Sequence, residues 1–243
     1  MAGSSFFGVS SVTMAFGSLV ALNNLSFEVE KGQIFGIAGP NGSGKTTLLN
    51  VIAGALTPKD GNVYLEGEDI LGSKPREICY KGIARTFQIP AVFPTLTVLE
   101  NIKVGLTFGH GPHKKPARGI AEIIDFVGLR GKEDLLAANV DLYTRKSLML
   151  GAILATDPKI LLLDEPLAGL NIGEIDDYLK LVRQLNEEMG ITFLVVEHVF
   201  DKLVEISERI LIIHFGEKIY LGPSGEVTED PKVIEVYLGM KHA

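Results

Sequence analysis

Between residues 7 and 29 apolar and polar side chains alternate, with Val9, Val12, Phe27 and Val29 in runs that suit half-buried antiparallel strands. A short apolar run at 33–38 ends in Gly39; a Gly-rich stretch and a helix-forming segment at 46–55 follow, the order strand, loop, helix. Residues 62–66 and 83–87 read as further strands. From 97 to 156 strand signals disappear, and Val98, Ile102, Ile123, Phe126 and Val127 recur at helical spacing. Alternation then resumes, with strands at 160–163, 192–196 and 210–213 and a helix at 174–188. The pattern predicts an α/β fold in one domain spanning 1–243: a parallel-sheet core, an antiparallel β subdomain at its N-terminus, and a helical subdomain inserted at about 89–156. There are no internal repeats or low-complexity segments.

The length of 243 residues is enough to bury a full core. A net charge of −7 and a pI near 5.3 argue against nucleic acid as a partner, because phosphate-backbone affinity needs clustered Lys and Arg. The lone Cys79 cannot form an internal disulfide; it fits a reducing compartment and is expected as a small buried hydrophobe. The opening residues are apolar but carry no Lys or Arg before Lys31, so a targeting peptide is not expected. No apolar run approaches the roughly 18 residues that span a bilayer.

Gly39-Pro40-Asn41-Gly42-Ser43-Gly44-Lys45-Thr46 fits the pattern G-x-x-x-x-G-K-[ST] in its required context, after an apolar strand and before a helix. Gly42 and Gly44 let the backbone wrap a phosphate chain, and the loop N–H groups with the helix N-terminus offer partial positive charge. Lys45 is suited to reach the outer phosphates and Thr46 to ligate Mg²⁺. The run at 160–163 ends in Asp164 and Glu165, which places both carboxylates at the C-terminal end of a buried strand, the edge where parallel α/β sheets bind ligands. Asp164 is suited to hold Mg²⁺, and Glu165 to accept a proton from an attacking water. Gln88 and His198 also follow apolar runs; a Gln there can orient Mg²⁺ or water, and a His can hydrogen-bond a phosphate oxygen. Alone, each of these two reads more simply as a satisfied loop residue, as do His110, His113, His214 and His242.

With these residues in order, the chain resembles the ATP-binding subunits of ABC transporters from Phe16 to Gly239. The resemblance implies that Phe16 stacks on adenine, that Gly39, Asn41, Gly42, Ser43, Gly44, Lys45, Thr46 and Thr47 form the Walker A loop around ATP, and that Gln88 is the Q-loop glutamine. It implies Asp164 as the Walker B acid, Glu165 as the catalytic base, residues 167–171 as the D-loop and His198 as the switch histidine, with Mg²⁺ held by Thr46, Gln88 and Asp164. Within the family, Ala84-Arg85-Thr86-Phe87-Gln88-Ile89-Pro90, the stretch from Phe93 through Glu100-Asn101, and the ending Asp230-Pro231 with Tyr237-Leu238-Gly239 are similar to the group serving branched-chain amino acid uptake; related subunits handle amides or urea. The implied partners are transmembrane permease subunits and a second ATP-binding subunit, and the implied place is the cytoplasmic face of the cell membrane, bound peripherally.

The family's Leu-Ser-Gly-Gly-Gln signature is replaced here by Val140-Asp141-Leu142-Tyr143-Thr144. In the family this loop presents a Ser hydroxyl and backbone N–H groups to the γ-phosphate of the partner's ATP. One reading is that Asp141 brings a negative charge to that phosphate, a repulsion of about 4 kcal/mol at ~4 Å with an effective dielectric of ~20. The other is that Asp141 turns inward as the N-cap of the following helix, with Arg145 or Lys146 partly compensating. The first implies a second ATP-binding subunit that is a different chain with an intact signature. Two rival functions stand beside transport: a soluble ABC-type ATPase acting on ribosome or DNA, and a regulatory nucleotide-binding subunit with weak hydrolysis.

Overall fold

A computed structural model describes residues 6–111 and 116–238 of the chain. Gly39 to Thr47 and every other candidate site residue lie within them, whereas His113, Gly239 and His242 lie outside the described residues. The chain divides into two compact units, Met1–Pro75 with Thr192–Ala243, and Arg76–Ile191.

The first unit opens with an antiparallel pair, β1 (Phe7–Phe16) and β2 (Leu19–Val29), as the alternation predicts. β4 (Asp60–Leu65) and β5 (Glu68–Asp69) extend that sheet beyond β1. Its inward residues Phe7, Val12, Leu22 and Leu25 are fully buried. The phase of the alternation breaks where Val9 and Val12 are both buried: Ser11, between them, has a left-handed φ of 51°, and the register with the neighbouring strands shifts there.

The unit's second sheet is built on β3 (Ile34–Ala38), buried at every position, with β8 (Thr192–Val196) parallel on one side and β9 (Arg209–His214) parallel on the other. β10 (Glu217–Pro223) adds to β9 in the antiparallel sense. Phe35 of β3 stacks on Phe27 of β2, centroids 5.3 Å apart and planes 10° from parallel, which joins the two sheets through one aromatic contact. Helices α1 (Lys45–Ile52), α7 (Phe200–Ile206) and α8 (Pro231–Leu238) complete this unit.

The second unit follows α2 (Pro75–Lys81) with β6 (Ile83–Arg85), parallel to β7 (Ile160–Asp164) in the register Arg85 opposite Leu162. β6 stops earlier than the apolar run at 83–87 implies. Thr86 still donates its N–H to the Leu162 carbonyl at 2.9 Å, but Phe87 is exposed. Helices α3 (Val98–Phe108), α4 (Ile120–Phe126) and α5 (Leu142–Leu154) fall within 97–156, and α6 (Ile172–Met189) leads out of the unit. α3 and α6 start on capping boxes, Thr97 with Glu100 and Asn171 with Glu174, so both ends of each box satisfy otherwise open backbone N–H groups. Cys79 is only half-buried, short of the fully buried hydrophobe expected of it. Among the described residues no helix is long and apolar enough to cross a membrane.

Candidate functional site

In the first unit, β3 and β8 run parallel with Ile37 opposite Val196, so the loop after β3 and the turn after β8 leave the sheet at the same edge. The loop is Gly-rich for steric reasons. A Cβ on Gly39 would meet the backbone oxygen of Ile213 at 2.0 Å, and one on Gly44 the backbone oxygen of Ala21 at 2.4 Å, with both glycines at positive φ. Gly44 caps α1, so Lys45 and Thr46 start the helix and the backbone N–H groups of its first turn face the loop. The Lys45 ammonium is buried and donates to the carbonyls of Gly39 at 2.7 Å and Pro40 at 2.9 Å, spanning the loop's own mouth. Asn41, Gly42 and Thr46 are exposed, Thr47 is half-buried, and the buried Ser43 Oγ has no hydrogen-bond partner among the described residues. A concave run of donors with an unsatisfied hydroxyl and a lysine at its mouth suits a phosphate chain.

His198 follows β8 and is exposed; its N–H donates at 2.9 Å to the carboxylate of Glu197, which is itself buried and also accepts from the Val199 N–H at 3.5 Å. Glu197 therefore shapes the turn that carries His198, a part sequence reading missed because a lone acid between an apolar run and a His has no periodic signature. Phe16 lies exposed at the end of β1, opposite Leu19. The C-terminal Tyr237 packs on Phe200, centroids 5.0 Å apart, and burial pushes its hydroxyl up to about 12.

In the second unit, β6 and β7 bring the other candidates to one edge. Asp164 is nearly buried and pairs with the Arg85 guanidinium at 2.6 Å, and its N–H donates to Thr86 Oγ1 at 3.2 Å. Gln88 Nε2 donates to Glu165 Oε2 at 2.6 Å, so the two residues that the sequence places 77 positions apart meet directly. Glu165 has a left-handed backbone, φ 48°, a conformation that costs a non-glycine residue roughly 1 kcal/mol or more and marks sites held by their surroundings. Arg85 had no role assigned from sequence beyond its place in a family-like stretch; its guanidinium is the counter-charge of Asp164.

Asp141 is the N-cap of α5. Its carboxylate accepts from the Thr144 N–H at 2.7 Å, and that bond, ahead of smaller effects from Thr144 and Lys132, holds it below the ordinary carboxylate range. The inward-turned geometry is thus the observed one. The compensating cation is Lys132, whose Nζ donates to Thr144 Oγ1 at 2.8 Å, whereas Arg145 Nε turns to the Val140 carbonyl at 3.0 Å.

Among the described residues no group of three His, Cys, Asp or Glu side chains forms a preassembled metal cage. The Thr46 hydroxyl in the first unit, and the Asp164 carboxylate and Gln88 amide in the second, are each hard oxygen donors of the kind that Mg²⁺ takes together with phosphate oxygens.

The sequence profile of the family described as ABC transporter matches residues 22–168. The chain is 35% identical over 246 aligned positions, 95% of its length and 96% of the relative's, to the high-affinity branched-chain amino acid transport ATP-binding protein BraF of Pseudomonas aeruginosa. It is 36% identical, over 92% of this chain and 93% of the relative, to a probable branched-chain amino acid transport ATP-binding protein LivG of Methanocaldococcus jannaschii. Its fold superposes on the ADP conformation of an ABC transporter's ATP-binding cassette with a TM-score of 0.87 at 34% identity, covering 98% of this chain and all (100%) of the other. A dimeric bacterial ABC transporter cassette matches with a TM-score of 0.79 at 25% identity, over 90% of this chain and 98% of that one. The chain belongs to the ABC transporter family, as a nucleotide-binding, ATP-hydrolysing subunit.

Proposed function

We propose that this subunit is the motor of an importer for branched-chain amino acids or similar small polar solutes, bound peripherally to permease subunits at the cytoplasmic face of the cell membrane. What supports the cargo class is the identity with two branched-chain amino acid transport ATP-binding proteins along almost the full chain. What supports the motor is the Gln88 to Glu165 hydrogen bond, which puts a polar sensor on the candidate base.

In this reading all of 1–243 works as one ATPase domain with its helical subdomain at about 89–156. Phe16 stacks on adenine. The loop N–H groups from Gly39 to Thr47, including Asn41, Gly42, Ser43 and Gly44, bind the phosphates, and Lys45 leaves the Gly39 and Pro40 carbonyls to meet the outer ones. Thr46, Asp164 and Gln88 would hold Mg²⁺, which would supply neutralisation of negative charge on the phosphate oxygens. Glu165 orients and deprotonates the attacking water, and His198 donates a hydrogen bond to the outermost phosphate. A second ATP-binding subunit, a different chain with an intact signature, completes the assembly, because the segment 140–144, even with Asp141 turned inward as a helix cap, lacks the Ser and both glycines that the family's signature offers to a partner's phosphate.

The decisive variant is Glu165→Gln. It keeps the shape and the bond to Gln88, so nucleotide affinity should stay within about twofold while turnover falls by ~10²–10⁴, the usual share of a general base. Turnover equal to that of the unaltered chain would remove Glu165 from the mechanism.

A further inference from the structure

Lys146 of α5 is 1% exposed, one of the largest fully buried side chains in the protein. Taking an ammonium out of water costs several kcal/mol unless good partners receive it, and a methionine fills a comparable volume without that cost. A buried lysine in the middle of an apolar helix face is therefore poor packing material, and what it touches explains it better. Its Nζ donates to the carbonyl of Pro166 at 2.7 Å. Pro166 directly follows Glu165, and that junction has two weaknesses. Proline brings no N–H of its own, and Glu165, whose carbonyl accepts from the Ala168 N–H at a long 3.2 Å, sits at φ 48°. A turn with a left-handed non-glycine residue keeps its shape only where its surroundings hold it.

We propose that Lys146 is a positioning residue for Glu165: by gripping the next carbonyl it keeps the left-handed turn formed and the carboxylate in reach of Gln88. The bond reaches the carbonyl of the residue after Glu165. The same contact links the helix that Asp141 caps to the acid-bearing turn, so the altered signature segment and the base share one rigid connection.

The inference rests on Glu165 acting as the base, and the test separates the two. ATPase kinetics and MgATP affinity are measured for the assembled transporter, and the thermal midpoint for the full-length chain, with this chain unaltered or carrying Lys146→Met, Glu165→Gln or both. Lys146→Met should lower kcat about tenfold, as expected for a displaced catalytic group, with KM and MgATP affinity within about twofold and the thermal midpoint unchanged or raised. In the double variant the Lys146 change should add nothing to the loss from Glu165→Gln, because its effect passes through that carboxylate. A wild-type kcat in Lys146→Met, or the same tenfold loss on the Glu165→Gln background, overturns the proposal. Wild-type turnover in Glu165→Gln instead overturns the base assignment beneath it. Where Lys146→Met does not fold, Lys146→Gln, neutral and too short to make the same bond, carries the same expectation and the same overturning outcomes.

Discussion

The carboxylate of Asp141 satisfies a helix N-terminus and holds a charge at the same place. Its pKa is lowered in the folded chain, chiefly by the Thr144 N–H, so its stabilisation is present above the ordinary carboxylate range and is lost as pH falls through the lowered value. Asp141→Ala should cost about 1 kcal/mol at neutral pH, as losses of N-caps do, with the gap to the parent closing in acid. Asp141→Asn should keep most of the cap and show no such pH dependence. Urea midpoints measured across pH check both, and a constant Ala penalty down to strong acid would mean that the carboxylate does not carry the cap.

One connecting segment of the second unit runs from the Gln88 edge to the start of α3. The segment from Phe87 to Leu96 leaves Phe87, Ile89 and Phe93 exposed, which is unusual for three large apolar side chains in so short a stretch. Its backbone is held from α3: the buried Asn101 accepts from the Phe93 N–H at 2.7 Å and donates to the carbonyls of Phe93 at 3.1 Å, Leu96 at 3.3 Å and Thr97 at 2.9 Å. The loop is therefore shaped by its main chain, with the Arg85 guanidinium 5.3 Å over the Phe87 ring and with Ile89 and Phe93 exposed. Phe93→Asp should change stability by no more than about 0.5 kcal/mol, as exposed substitutions do. It should leave nucleotide binding intact and abolish co-purification with the permease subunits. Assembly that survives the change would show that the patch does not dock.

The intact assembly tests the signature. In the head-to-tail pair proposed above each nucleotide would lie between one chain's loop and the other chain's signature, so the loss of the Ser and both glycines at 140–144 would harm the partner's site and spare this chain's Lys45, Asp164 and Glu165. Placing Glu→Gln separately in each ATP-binding subunit of a reconstituted transporter should therefore give unequal losses of ATP-driven uptake. Glu165→Gln here should abolish uptake, and the matching change in the partner should be tolerated. Equal losses, or rapid hydrolysis by this chain as a homodimer, would show that the Asp141-capped helix end is competent after all.

Local patterns in the chain were enough to read the paired strands at 7–29, the buried runs at 33–38 and 160–163, the Gly-rich loop after β3 and the acids at the end of β7. Burial on one or both faces imposes a period on neighbouring residues, and position 39 admits only glycine because a Cβ there would lie 2.0 Å from the backbone oxygen of Ile213. β10 escaped notice because it is a half-exposed edge strand, with weak constraint on either face. The pairings of long polar side chains needed the tertiary structure. That Arg85 meets Asp164, that Lys132 and not Arg145 supports Thr144, and that Lys146 reaches Pro166 depends on how α5, β6 and β7 pack over separations of 12 to 79 residues. Periodicity says which face a residue occupies; what the end of a flexible side chain touches several ångströms away is set by the packing of whole elements.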